Sequence, residues 1–197
     1  MKITKLVGAL LALSSSLVVA DDISLGYPGH NGSGCPIGSV SATLSPDYKQ
    51  LSLLFNEYSV EARGTTKTDR KTCNLAVPVH VPQGLSFSIL GLEYRGYNGL
   101  PRGASSTLSA SYFFPGSPGV QTARTFYGAL DDEYLVKHDL LAGAIVWSPC
   151  GADVNLRINS SMKVTTNAKG EQAQATVDSI DLSAGMIYHL QWRKCQR

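Results

Sequence analysis

The sequence predicts an all-β fold: an antiparallel two-sheet sandwich, stapled by disulfides. Three observations predict it. Apolar residues recur at every second position over many short runs, the signature of half-buried strands. Gly, Pro, Asn and Ser punctuate those runs as turn residues do. No stretch carries a convincing helical period; the nearest approach is a short turn near Asp132 to Leu141.

Taken in order, the runs are Val40, Ala42 and Leu44 against serines and threonine, then Leu51, Leu53 and Phe55, then Tyr58, Val60 and Ala62. Leu75, Val77, Val79 and Val81 follow, alternating with Ala76, Pro78 and His80. Pro78 lacks a backbone donor, which is tolerated mainly at an edge or a bulge, so that strand is expected at a sheet edge. Leu85, Phe87 and Ile89 alternate with serines, and Leu108, Ala110, Tyr112 and Phe114 repeat the pattern. Val154, Leu156 and Ile158 form another run, Ala173 to Leu182 is a further candidate, and Met186, Tyr188, Leu190 and Trp192 close the series. So many short antiparallel strands suit a sandwich.

Residues 1–20 read as a secretory leader. Lys2 and Lys5 precede a mostly apolar run from Leu6 to Val19, and Val18-Val19-Ala20 offers small residues at a cleavage site. The run is too short and serine-rich to span a bilayer. The mature chain, residues 21–197, then fits a single secreted domain with no linker or repeat. The whole chain carries 17 Lys+Arg against 15 Asp+Glu; without Lys2 and Lys5 the balance is 15 against 15. Nothing at that level points to nucleic acid. Asn31-Gly32-Ser33 and Asn159-Ser160-Ser161 are N-glycosylation acceptors, so a glycoprotein with sugars on Asn31 and Asn159 is expected.

Four cysteines in a secreted chain imply two disulfides. The close pairs that zinc would need are missing. Cys35 and Cys73 each precede a strand, with one strand between, so in an up-down-up order their ends coincide. Cys150 precedes the Val154 strand and Cys195 ends the last one; an antiparallel pair would bring them together. The expected bridges are Cys35–Cys73 and Cys150–Cys195, and the two tryptophans standing three residues before Cys150 and Cys195, Trp147 and Trp192, are expected to pack in the core beside the second.

Several segments together resemble a known family. They are Gly34-Cys35-Pro36-Ile37-Gly38-Ser39-Val40-Ser41, Leu51-Ser52-Leu53-Leu54-Phe55, Cys73-Asn74-Leu75-Ala76-Val77-Pro78-Val79, Tyr94-Arg95-Gly96-Tyr97, Trp147-Ser148-Pro149-Cys150-Gly151 and Leu190-Gln191-Trp192-Arg193-Lys194-Cys195. In order and over the whole mature chain they are similar to the secreted domain-of-unknown-function family 4360, found in ascomycete fungi and some bacteria. The resemblance implies secretion, four cysteines and a fungal source. It implies no activity and no catalytic residues.

Residue patterns that carry chemistry are few. His30, His80, His138 and His189 form no metal-binding pair at helical spacing, no serine sits in a nucleophile elbow, and no free thiol is expected. No catalytic constellation, metal site or cofactor is recognisable. Asp131, Asp132 and Glu133 make the densest acidic run. Paired acids serve glycoside hydrolysis and oxygen clusters serve cations, but a solvated loop opening a helical turn accounts for them as well. Arg63, Lys67, Arg70 and Lys71 form a basic stretch that suits an acidic polysaccharide or a lipid head group, diluted by Glu61 and Asp69.

The remaining candidate is Glu93 to Gly103. After Leu92 the apolar alternation stops and Gly96, Asn98, Gly99 and Gly103 take over, which predicts a loop. Tyr94, Arg95, Tyr97, Asn98 and Arg102 are the candidate ligand-binding residues, because rings can stack on sugars while Arg and Asn bond hydroxyls. Alternatively, the rings cover the sandwich end and Arg95 pairs with Glu93 or Asp131. The leading expectation is a secreted binding protein for cell-wall or host-surface glycans. The alternatives are a hydrolase using the loop carboxylates and a structural wall component.

Overall fold

The computed structural model describes residues 22–140, 145–177 and 185–195. The expected leader lies outside them, as does the second half of the Ala173 to Leu182 run. In chain order the strands are β1 (Ser24–Leu25), β2 (Gly29–Asn31), β3 (Val40–Leu44), β4 (Gln50–Phe55), β5 (Ser59–Ala62), β6 (Thr68–His80), β7 (Leu85–Leu100), β8 (Ser105–Phe113), β9 (Val120–Tyr127), β10 (Leu130–Asp139), β11 (Val154–Thr165), β12 (Ala173–Thr176) and β13 (Met186–Lys194). No helix occurs among the described residues.

Two antiparallel sheets form, as the alternation requires. The first runs β1-β6-β11-β8-β9, with β2 also on β6; the second runs β3-β4-β13-β7-β12-β5, with β10 on the other side of β7. Inward residues of both meet in one core that includes Leu75, Val77, Leu108, Ile158 and Met162 from the first sheet and Leu53, Phe87, Tyr94 and Tyr188 from the second. Aromatic edges fill it: Phe87 meets Phe114 at 5.1 Å and Tyr112 meets Tyr188 at 5.9 Å. Burial pushes the Tyr58 and Tyr94 phenols up to about 12, so they stay neutral hydrogen-bonding groups in the interior.

Four expectations need correction. The segment after Leu92 is not a loop: β7 continues to Leu100, and the chain turns only at Pro101 to Ala104, where the Ala104 amide donates to the Pro101 carbonyl. The segment at Asp132 is not helical but lies in strand β10, paired residue for residue with β7 from Leu130↔Leu100 to Asp139↔Gly91. Strand β9 was not expected at all. Pro78 lies one strand in from the edge, yet its missing donor is harmless. Its carbonyl accepts from the Gly26 amide, so its nitrogen faces the gap between the registers of β1 and β2.

The disulfides join Cys35 to Cys73 (Cα–Cα 5.3 Å) and Cys150 to Cys195 (5.9 Å). The strand relations expected behind them differ from those found. Cys73 lies inside β6, and Cys35 lies in the segment that carries the chain from β2 in the first sheet to β3 in the second. Cys150 precedes β11 and Cys195 follows β13, which belong to different sheets, so this bridge ties the two layers together at one end. Trp192 does pack against the core, on Phe87 at 5.0 Å, and its Nε1 donates to the Tyr48 carbonyl. Trp147 does not; it is half-buried, with the Arg193 guanidinium 3.8 Å over its ring.

Candidate functional site

Strand alternation divides the expected ligand segment between two environments. Tyr94 and Asn98 point into the core and are 2% and 0% exposed. Asn98 accepts from the Ser106 hydroxyl at 2.6 Å, and its Nδ2 has no partner. Arg95 and Tyr97 point outward, and Arg102 sits exposed in the following turn, its carbonyl accepting from Asn167. The five residues do not form one surface.

Arg95 takes the alternative expected for it. Glu93, only 12% exposed at its side chain, sits among Lys137 (2.9 Å), Arg95 (3.3 Å) and His189 (3.3 Å) on the outer face of the second sheet. The hydrogen bond from Lys137, supported by those from Arg95 and His189, holds the Glu93 carboxyl below its ordinary range despite partial desolvation. A carboxyl depressed by folding stabilises above its unfolded pKa, and that contribution disappears as pH falls through the folded value. Glu93→Gln is therefore expected to flatten the acid limb of stability against pH. Urea midpoints measured across the acid range for both proteins check this; an unchanged slope would remove the cluster from the account.

Tyr97 borders a shallow depression of about 550 Å³ with Gly99, Pro101, Asp131, Gln172 and Gln174. Its hydroxyl donates to Asp131, which holds the phenol proton and raises its pKa. Of the three acids considered for hydrolysis, only Asp131 lines this space. Asp132 and Glu133 are exposed, and alternation along β10 turns Asp132 to the opposite side from its neighbours. A pair of carboxylates facing each other across a groove is not assembled there. Among the described residues no cluster of three or more His, Cys, Asp or Glu side chains could hold a metal ion.

The outer face of the first sheet is different, and no contiguous motif spans it. Its core-facing residues are mostly apolar, and few of the outward ones, Asn31, Asn159 and Arg70 among them, stand out in the sequence, each for a separate reason. Register lines them up in rows. Asn31, Asn74, Asn159, Ser111 and Gln121 form one row across β2, β6, β11, β8 and β9. Thr72, Ser161, Ser109 and Ala123 form the next; Arg70, Lys163, Thr107 and Thr125 the third; Thr68, Thr165, Ser105 and Tyr127 the fourth. Arg70, Thr72, Asn74, Ser109, Asn159 and Ser161 line a depression of about 480 Å³ in the middle of this face. Two rings flank it along β8 and β9. Half-buried Phe113 stands beyond the first row beside Arg157, and Tyr127, 74% exposed, closes the fourth. Both glycosylation acceptors belong to one row, Asn31 at its edge and Asn159 on the floor of the depression.

Residues 21–195 match the model of a family described as a domain of unknown function, DUF4360. An uncharacterized secreted protein of Arthroderma benhamiae is 36% identical over 169 residues, which cover 84% of this chain and 69% of that protein. This protein is likewise secreted, the compartment in which its two disulfides persist. A solved carbohydrate-binding module, TmCBM61 in complex with β-1,4-galactotriose, is 12% identical with a TM-score of 0.32, covering 85% of this chain and 88% of that one. At that level the likeness carries no argument about what this chain does.

Proposed function

This chain belongs to the DUF4360 family, and on that premise we propose that it is a secreted glycan-binding domain whose ligand lies on the outer face of the first sheet. One observation carries the reading: rows of hydroxyl and amide side chains, four or five strands wide, around a depression of about 480 Å³. Ser, Thr and Asn each offer both donors and acceptors, which is what a surface of sugar hydroxyls presents in return. Short side chains held on a rigid sheet lose little entropy on binding. Phe113 and Tyr127 stand roughly 27 Å apart along the strand direction, placed to stack on the sugar rings of an extended chain.

The reading makes the two acceptors unequal. A sugar on Asn159 would fill the depression, whereas one on Asn31 would stand at the rim. The binding-competent protein is expected to carry glycan on Asn31 and none on Asn159.

The test is a polysaccharide array followed by titration. Ser109→Tyr, which fills the floor with a good strand residue, is expected to abolish binding while the melting curve is kept. The Tyr97→Ala, Arg102→Ala double variant is expected to bind as the parent does. The opposite pattern would move the site to the depression beside Tyr97. No saturable binding to any polysaccharide would reject the reading and favour a structural wall component.

A further inference from the structure

We infer that the glycan bound by this face is anionic, a polysaccharide carrying carboxylate or sulfate groups. The inference rests on the glycan reading of the same face and narrows its ligand class. Its basis is charge segregation hidden in a balanced composition. Outward positions of β6, β11, β8 and β9 include Arg70, Arg157 and Lys163 and not one Asp or Glu. Asp69, the acid beside Arg70 in sequence, has the opposite parity; its carboxylate accepts from the Glu61 amide on the other side of β6. The second sheet instead gathers Glu93, Asp131, Glu133 and Asp139 on its outer side, with Glu93 among cations.

The cations on the first face are unneutralised. Arg70 and Lys163 are direct cross-strand partners, an arrangement that repulsion makes unfavourable. Among the described residues neither they nor Arg157 takes part in an ion pair. Along β11 the outward order is Arg157, Asn159, Ser161, Lys163, so cations stand at both ends of the hydroxyl and amide tract, about 20 Å apart. A polymer lying along β11 would meet Arg157 at one end and the Arg70/Lys163 pair at the other, with its hydroxyls over the depression between. An Arg fork suits a planar carboxylate or a sulfate equally, so the chemistry shared by both is assigned.

The experiment titrates the full secreted protein with four polysaccharides, namely polygalacturonate, its methyl ester, dextran sulfate and plain dextran, and with polyglutamate as a sugar-free polyanion. Binding to polygalacturonate or dextran sulfate is expected, with little to the methyl ester or dextran and a steep fall with added salt. Whichever charged polymer binds more tightly identifies the group recognised. Arg70→Gln and Lys163→Gln are each expected to weaken binding about tenfold, the loss of one charge-assisted hydrogen bond. Neither should lower the melting temperature, because each relieves a like-charge pair. Equal binding to polygalacturonate and its methyl ester, unaffected by either substitution, would overturn the anionic inference and leave the glycan reading standing. Equal binding to polyglutamate would overturn the requirement for sugar. Silence with all four polysaccharides would overturn both readings.

Discussion

Replacing Cys35 and Cys73 together by alanine is expected to lower the unfolding free energy by about 4 kcal/mol. The bridge spans 38 residues, and closing a loop of that size in the unfolded chain accounts for about that much in the chain-entropy model. Both cysteines are 0% exposed and belong to the core, so the substitution also leaves unfilled space. For a domain whose total stability is about 5–15 kcal/mol, the loss is a large fraction of the whole. The consequence should be local as well as global. Cys35 anchors the crossover from β2 to β3 onto β6, where the Gly34 amide also donates to the Thr72 carbonyl at 2.9 Å. Without the bridge, amide exchange should rise first in residues 29–44. The Cys150–Cys195 bridge closes 45 residues, and its entropic contribution is about the same. Its cysteines, however, lie at the rim rather than in the core. Equilibrium unfolding of the two double variants should therefore rank the Cys35/Cys73 pair as the more damaging. A variant lacking that pair that unfolds at the parent's midpoint would remove the bridge from any account of stability.

The disulfides also mark what the sequence could and could not convey. Wherever inward positions are apolar, the strands were legible, from Val40 to Leu44 through to Met186 to Trp192. The cysteine partners were legible too, but not the geometry that joins them. Alternation reveals a strand without saying which sheet it enters, so β11 and β13 read as neighbours although they lie in different layers. Strand β9 escaped notice because it is an edge strand whose inward positions, Val120, Thr122, Arg124 and Phe126, include a charged residue that breaks the apolar alternation. Strand β10 was hidden by its outward acids, for which an edge strand with one exposed face has room. The candidate face was illegible for a different reason. Its residues are unrelated in sequence, and only cross-strand register assembles them. A signal was present all the same: once β6, β11, β8 and β9 are recognised as strands, their outward positions are mostly Ser, Thr, Asn and Gln, with three cations and no acid.

The second half of β7 was the most misleading stretch, and it leads to the prediction with the sharpest geometry. Glycine among tyrosines reads as a turn, but Gly96 is a strand residue with no room for a side chain. It pairs with Tyr134 of β10, whose ring lies across it so that the phenol donates to the Thr176 carbonyl of β12 at 2.8 Å. A Cβ on residue 96 would stand 2.1 Å from that carbonyl oxygen and 2.6 Å from the Tyr134 oxygen. The first is backbone and cannot swing aside, so Gly96→Ala must push β12 away from β7 and break the tyrosine's bond. Overpacking typically costs about 1–3 kcal/mol and an orphaned buried hydroxyl a similar amount, so a loss of about 3 kcal/mol is expected. Gly99→Ala on the same strand is the control. Its nearest neighbours, 3.1–3.3 Å away, are the Gln174 side chain and the Tyr97 hydroxyl, which can move. That variant should unfold within about 1 kcal/mol of the parent. Denaturant midpoints for the two alanines, measured side by side, decide the matter. Equal midpoints would mean that β10, β7 and β12 are not arranged around Gly96, and that the apparent turn in the sequence was a real one.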